Sequence, residues 1–254
     1  MKKIVIIGSG NVAWHLCKSF MDAELDVLGV YSKTEVNRNT FANEFQIQSF
    51  SSLREVNEQS PDVIILAIND DYIAEVAQKI NKEIPLAYTS GSVELSSLER
   101  PNTGVFYPLQ SFTRGQKVNL FEVPFFIEST DIELSEKLFQ LAWKISNSVQ
   151  FADSKTRSEL HLAAVFANNF SNHMFTVAKD LLKNSEGEFK HLMPLIKQSI
   201  DKLASNSPSE IQTGPAKRGD KKIINKHIEK LNPEYAEIYK VISASIQKRY
   251  NEEL

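Results

Sequence analysis

Lys2-Lys3-Ile4-Val5-Ile6-Ile7-Gly8-Ser9-Gly10-Asn11-Val12-Ala13 is a short apolar strand that runs straight into a glycine-rich turn and the start of a helix. Gly8 permits the tight turn, Gly10 lets backbone approach a pyrophosphate, and the small Ala13 lets helix pack against strand. The unpaired amides at such a helix start favour an anion. A GxGxxA pattern alone is a weak signal. Here an amphipathic stretch follows at once: Val12, Leu16 and Phe20, with Ala13 and Cys17 beside them. The stretch therefore reads as a dinucleotide-binding turn contacted through Gly8, Ser9, Gly10, Asn11 and Val12. The alternative is a glycine turn kept for packing in some other α/β protein.

Working outward, β-like runs alternate with helical segments as far as about residue 150. Strands are expected near Lys3 to Ile7, Asp26 to Tyr31, Ile47 to Phe50, Val63 to Ile68, Leu86 to Thr89, Val105 to Tyr107, Pro124 to Glu128 and Ser148 to Phe151. Helices are expected at Val12 to Phe20, Glu35 to Phe45, Asp71 to Ile80 and Leu134 to Ile145. The alternation predicts an α/β fold: a doubly wound, mainly parallel sheet over residues 1–152, with ligands at the carboxyl ends of its strands.

The end of the second strand selects the cofactor. An NAD site usually carries an Asp or Glu there, about 20 residues past the glycines. This chain has Tyr31-Ser32-Lys33-Thr34, with Arg38 a helical turn further on. Ser32 and Lys33, with the Arg38 guanidinium as a further candidate, suit a 2′-phosphate, so NADP is favoured over NAD; solvated surface cations are the plainer reading of Lys33 and Arg38. The apolar fourth strand ends in Ala67-Ile68-Asn69, placed to line the nicotinamide-ribose side, although Asn69 and Asp70 also read as the cap of the next helix. Ser90 and Gly91, at a small polar turn after the fifth strand, are expected to make a second cofactor contact. Tyr107-Pro108 is an extended step holding the next loop near the cleft, which makes Pro108 and Gln110 candidate substrate contacts.

From Asp153 the strand signals stop, and residues 153–254 read as an all-helical domain. Its first helix, to Leu182, carries apolar residues on several faces, so it must be covered on more than one side, within a helical domain or at a subunit interface. Further helices are expected near Glu188 to Ala204, Lys221 to Leu231 and Glu234 to Tyr250. On the first helix His161, Asn168 and Asn172 share one face. A polar stripe on an apolar helix is either a set of satisfied interhelical hydrogen bonds or cleft-facing. In the cleft-facing reading His161 and Asn168 are catalytic candidates and Asn172 a substrate contact. The segment Thr213-Gly214-Pro215-Ala216-Lys217-Arg218-Gly219-Asp220 is an irregular turn whose Arg218 suits a phosphate or carboxylate, unless it is an ordinary solvated turn; Asp220 can cap the helix that follows.

Bulk properties exclude several classes. A chain of 254 residues, 42% hydrophobic and 24% charged, suffices for two ordinary domains. A net charge of -3 gives no basic field for nucleic acid, and no signal peptide or run of 18 apolar residues is visible, so a cytoplasmic protein without a membrane span is expected. The single cysteine, Cys17, reads as core; it excludes an intrachain disulfide and a multi-cysteine metal site, and no metal is expected. The Arg218-Gly219-Asp220 tripeptide is not read as an adhesion motif, since extracellular context is lacking.

Several segments together resemble one known group. Ile6 to Ala13, Thr89-Ser90-Gly91, Tyr107-Pro108-Leu109-Gln110, the helix His161 to Asn169 and the loop Thr213 to Asp220 look like Rossmann-like proteins with a DUF2520 C-terminal domain. These are relatives of pyrroline-5-carboxylate reductase, ketopantoate reductase and the 6-phosphogluconate dehydrogenase superfamily. The resemblance implies a Rossmann domain followed by a helical domain, an active site between them and a homodimer formed through helices. The resemblance gives fold and cofactor class more firmly than substrate; the residues then support an NADP-dependent oxidoreductase moving hydride between the nicotinamide and a C=O or C=N carbon of a small acidic metabolite, with His161 as general acid, Asn168 orienting the substrate and Arg218 binding its acidic group. One departure is clear: the wider superfamily places a catalytic lysine four residues before an asparagine on this helix, and Ala164 and Val165 stand there instead. The alternative is therefore a dinucleotide-binding sensor or scaffold that lacks chemistry.

Overall fold

The computed structural model describes residues 1–251; the last three residues of the expected helical domain lie outside the described residues. The elements follow in the order β1 (Lys3–Ile7), α1 (Asn11–Asp22), β2 (Asp26–Tyr31), α2 (Glu35–Phe45), β3 (Gln48–Phe50), α3 (Leu53–Glu58), β4 (Val63–Leu66), α4 (Ile73–Lys79), β5 (Leu86–Tyr88), β6 (Thr103–Pro108), β7 (Phe125–Ser129), α5 (Ile132–Trp143) and β8 (Val149–Phe151). One sheet holds all eight strands in the order β3-β2-β1-β4-β5-β6-β7-β8. Strands β1 to β6 are mutually parallel; β7 runs antiparallel to β6 and parallel to β8. The expected α/β fold with a mainly parallel sheet is observed.

Alternation of side chains across the strands divides the core into two layers. Ile4 and Ile6 of β1 and Val63 and Ile65 of β4 pack with Ala13, Leu16 and Phe20 of α1. Val5, Ile7, Ile64 and Leu66 face the other way, against Ile73 and Ala77 of α4. Both layers are apolar because helices cover both faces, which is why the strands read as unbroken hydrophobic runs. Cys17 is fully buried in the first layer, and burial, with Glu44's charge adding, pushes its thiol up to about 12.

Beyond β8 lie α6 (Ser154–Ala164), a π-helical turn (Val165–Phe170), α7 (Ser171–Leu181), α8 (Met193–Lys202), α9 (Pro208–Ile211), α10 (Lys221–Ile228) and α11 (Pro233–Asn251). Two compact units are present, Met1–Asn169 and a second that begins at Phe170. The division thus falls later than 152/153, because α6 is fastened to the sheet. Asp153 caps α6 by accepting from the Thr156 amide at 2.8 Å. Arg157, only 1% exposed, forms an ion pair with Glu128 of β7 and donates to the Val93 carbonyl. Ser154 Oγ donates to Glu128 at 2.9 Å, and Leu160 packs against the second layer of the core.

The second unit is built differently. Its buried residues among those described are Ala216, Ile224, Ala236 and Ser243, whereas Leu181, Met193, Leu195, Ile200, Leu203, Val241 and Ile242 are exposed. Tyr235 on α11 donates to Asp180 on α7 at 2.8 Å, and the Tyr235 amide finds the Asn232 cap at 2.8 Å. Asp220 stands before α10 but makes no side-chain capping bond; its carboxylate is 3.6 Å from Arg218 instead. Among the described residues no helix is long and apolar enough to cross a membrane.

Candidate active site

The strand order reverses about β1, with β2 on one side and β4 on the other, and such a switch point opens a crevice at the carboxyl ends of the strands. A cavity of about 740 Å³ lies there, within the range of nucleotide and drug-sized sites. Ile7 to Val12, Ser32, Lys33, Ala67, Ile68 and Asn69 line it, so every residue expected at the cofactor from the first, second and fourth strands is gathered in one place.

The glycines of the turn differ in what demands them. Gly8 sits at φ +122°, and a Cβ there would stand 2.1 Å from the Ala67 carbonyl oxygen, so backbone conformation and packing both require glycine. Gly10 has an ordinary φ of -81°, and a Cβ on it would meet nothing of the chain within 4 Å. What its missing side chain leaves room for lies outside the polypeptide, as a pyrophosphate laid on the turn would. No side chain caps α1, and no acidic residue occupies its first turn, so the leading amides keep their partial positive charge for a ligand. These residues fit a dinucleotide.

At the outer end of the crevice Ser9 Oγ donates to Ser32 Oγ at 2.9 Å, and the Lys33 ammonium lies 5.8 Å from the centre of the Tyr72 ring. Arg38 departs from both sequence readings. It is buried, donates from Nε to Ser49 Oγ at 3.2 Å and from Nη1 to the Ser32 carbonyl at 3.0 Å, and so holds the loop that carries Ser32 and Lys33. Asn69 accepts from the Asp71 amide at 3.1 Å, as a cap does, and also lines the cavity.

A second cavity of about 420 Å³ shares Val12, Ile68, Thr89, Gln110 and Phe112 with the first. His161 and Asn168, together with Pro108, Gln110, Ser90 and Gly91, line it. The π-helical turn explains why Asn169 joins them: its wider winding brings Asn168 and Asn169 to the same cavity, a placement that α-helical spacing assigns to Asn168 alone. Sequence reasoning also missed Tyr107, whose hydroxyl is 3.0 Å from His161 Nδ1, and Asp70, whose carboxylate accepts from Ser90 Oγ at 2.9 Å and Ser92 Oγ at 2.5 Å. Burial, reinforced by the Asp70 charge, holds the Tyr107 phenol above its ordinary value, against a smaller opposing effect of Arg157. Ala164 and Val165 line the same cavity, so its helical wall is apolar where the wider superfamily carries lysine. Asn172 and Arg218 belong to the second unit and are not among the residues lining either cavity. Among the described residues no cluster of His, Cys, Asp or Glu side chains is arranged to hold a metal ion.

Comparison with known proteins bears on this arrangement. A crystal structure described as a "putative NADP oxidoreductase BF3122 from Bacteroides fragilis" is 34% identical over 97% of this chain and 98% of that one, with a TM-score of 0.90. The model of the DUF2520 domain, a domain of unknown function, matches residues 123–246. This chain belongs to the Rossmann-like proteins that carry a DUF2520 domain. Residues 2–85 match the oxidoreductase family with an NAD-binding Rossmann fold. Protein TM1727 from Thermotoga maritima shares the fold at 19% identity over 98% of this chain and 99% of that one, TM-score 0.67. A reductive aminase from Aspergillus terreus, solved with NADPH and ethyl-5-oxohexanoate, shares it at 10% identity over 90% and 78% of the two chains, TM-score 0.64. No curated protein matches the sequence.

Proposed function

We propose that this DUF2520 protein is an NADP-dependent oxidoreductase that moves hydride between the nicotinamide and the C=O or C=N carbon of a small acidic metabolite, written below in the reducing direction. The observation that carries the reading is the adjacency of two cavities, one lined by the glycine turn and one by His161 and Asn168, with five residues in common. When bound, the cofactor supplies a hydride to the C=O or C=N carbon. His161 gives the proton that the oxygen or nitrogen gains, so hydride and proton together complete the reduction. Asn168 orients the substrate by hydrogen bonds, and Pro108 and Gln110 border it. Asp70 is the one carboxylate among the residues lining the second cavity, and neither lysine nor arginine is among them; an acidic group on the substrate therefore needs a cation from elsewhere, the role proposed for Arg218, with Asn172 as a further substrate contact. Lys33 and Ser32 favour NADP over NAD through the 2′-phosphate. Ser90 and Gly91 are proposed to contact the cofactor at its nicotinamide end. The protein acts as a homodimer formed through its C-terminal helices, whose exposed leucines and isoleucines suit such an interface. A non-catalytic dinucleotide-binding protein is the second reading, favoured by Ala164 and Val165 where a catalytic lysine would stand.

Calorimetric titration with NADPH and NADH tests the cofactor. Micromolar NADPH binding is expected, weakened more than about 100-fold by Gly10→Asp, which sets bulk and negative charge where the pyrophosphate would lie. Lys33→Ala is expected to weaken NADPH about 10-fold and leave NADH unchanged. Absence of binding by either nucleotide removes the oxidoreductase reading.

A further inference from the structure

Tyr107 on β6 and His161 on α6 are 54 positions apart in sequence, yet the Tyr107 hydroxyl lies 3.0 Å from His161 Nδ1 and the rings meet edge to face at 6.1 Å. Gly91 makes the contact possible. A Cβ at that position would fall 2.7 Å from Tyr107 Cζ and 2.8 Å from His161 Nδ1, so even alanine would have to displace one of the two rings. The glycine is there for space, since its backbone does not adopt the left-handed region.

A phenol and a neutral imidazole can bond in two directions. If Nδ1–H donated to the phenol oxygen, the phenol hydrogen would be left without an acceptor among the described residues, on a side chain that is buried, a cost the opposite direction avoids. We infer that Tyr107 is a positioning residue: its hydroxyl donates to Nδ1 of His161 and fixes the neutral ring as the Nε2–H tautomer. The hydrogen-bearing Nε2 is then the nitrogen left to act on a substrate. In the protonated ring both nitrogens carry hydrogen and the hydroxyl rotates to accept from Nδ1–H; loss of the Nε2 proton to the substrate heteroatom leaves the hydrogen on Nδ1, and the resting Nε2–H ring returns when Nε2 takes a proton from solvent and Nδ1 gives one up. This last consequence rests on the proposed reduction, whereas the tautomer does not.

Long-range proton–nitrogen correlation spectra of the full-length protein labelled with ¹⁵N-histidine, recorded at a pH where the ring is neutral, read the tautomer without substrate. Five histidines are present, and His161→Gln assigns the signal. His161 is expected as Nε2–H with an Nδ1 resonance shifted by hydrogen bonding, and Tyr107→Phe, which keeps the ring and its packing, is expected to move Nδ1 to the position of an unbonded imidazole nitrogen. Hydrogen on Nδ1 in the wild type, or an Nδ1 resonance unmoved by Tyr107→Phe, overturns the inference. The wild-type spectrum decides the tautomer even if the variant fails to fold. NADPH titration of the same samples separates the two ideas. An Nε2–H ring without nucleotide binding sinks the reductase alone, and tight NADPH binding with hydrogen on Nδ1 sinks the positioning role alone.

Discussion

The sheet unit and the helical unit solve the problem of burying apolar surface in opposite ways. In the sheet unit every residue of β4 is buried, and helices close both faces. In the helical unit Leu195 is 63% and Val241 68% exposed, while the largest of the buried side chains is Ile224. Hydrophobic burial of about 25 cal/mol per Å² can therefore hold the first unit within one chain, but much of the apolar surface of the second is left in water. The difference teaches that internal packing can hold the sheet unit, whereas the helical unit keeps large apolar side chains uncovered by its own chain, as the proposed homodimer would require.

Arg157 tests the sheet unit, and the largest effect is expected there. Its guanidinium is fully buried against Glu128 and the Val93 carbonyl. Arg157→Ala leaves the Glu128 carboxylate without its counter-charge, with only Ser154 donating to it among the described residues, and the Val93 carbonyl with only the Tyr88 hydroxyl; about 3 to 5 kcal/mol of stability should be lost in a denaturant titration. A loss below about 1 kcal/mol would mean that α6 is not held to the sheet by this pair.

Dilution tests the helical unit. If the helical unit is stabilised by a second copy, unfolding follows mass action and Tm should fall by roughly 1 to 3 °C for each tenfold dilution. Replacing Leu195 and Ile200 together by serine should remove that dependence and give a monomer in sedimentation. A Tm independent of concentration in the wild type would contradict the homodimer and require some other cover for these residues.

The contrast also explains what the sequence reveals and what it hides. The glycine turn, the central strands and the sheet class were legible because periodicity and turn chemistry are local. Helix α3 escaped notice although Ser52 and Glu55 stand at capping-box spacing, and the Ser52 hydroxyl does accept from the Glu55 amide at 3.2 Å. The antiparallel β7 was legible in principle, since the stretch between Tyr107 and Pro124 lacks the helical pattern that a parallel crossover needs. The role of Arg38, the π-helical turn at Val165–Phe170 and the Tyr107–His161 contact were not legible. Each depends on side chains brought together by tertiary structure or on one extra residue in a helical turn, and neither leaves a periodic trace. The functional half of the molecule was thus half-written: the cofactor turn is a sequence motif, whereas the second cavity is assembled by the fold.

The smallest expected effect returns to the well-packed unit. Burial holds the Cys17 thiol up to about 12 in the folded protein, above the ordinary range for an exposed cysteine. With the folded value raised, the stabilising contribution is complete below the unfolded value and is lost as pH climbs toward the folded one. Near pH 10 the unfolded chain already ionises while the native thiol does not, so wild type should lose about 1 to 2 kcal/mol that Cys17→Ala keeps. The comparison is between the two slopes of stability against pH from 8 to 11, which cancels the packing cost of the substitution itself. Equal slopes would mean that Cys17 meets water in the native state, and the first layer of the core would then be looser than that of a unit stabilised by its own packing.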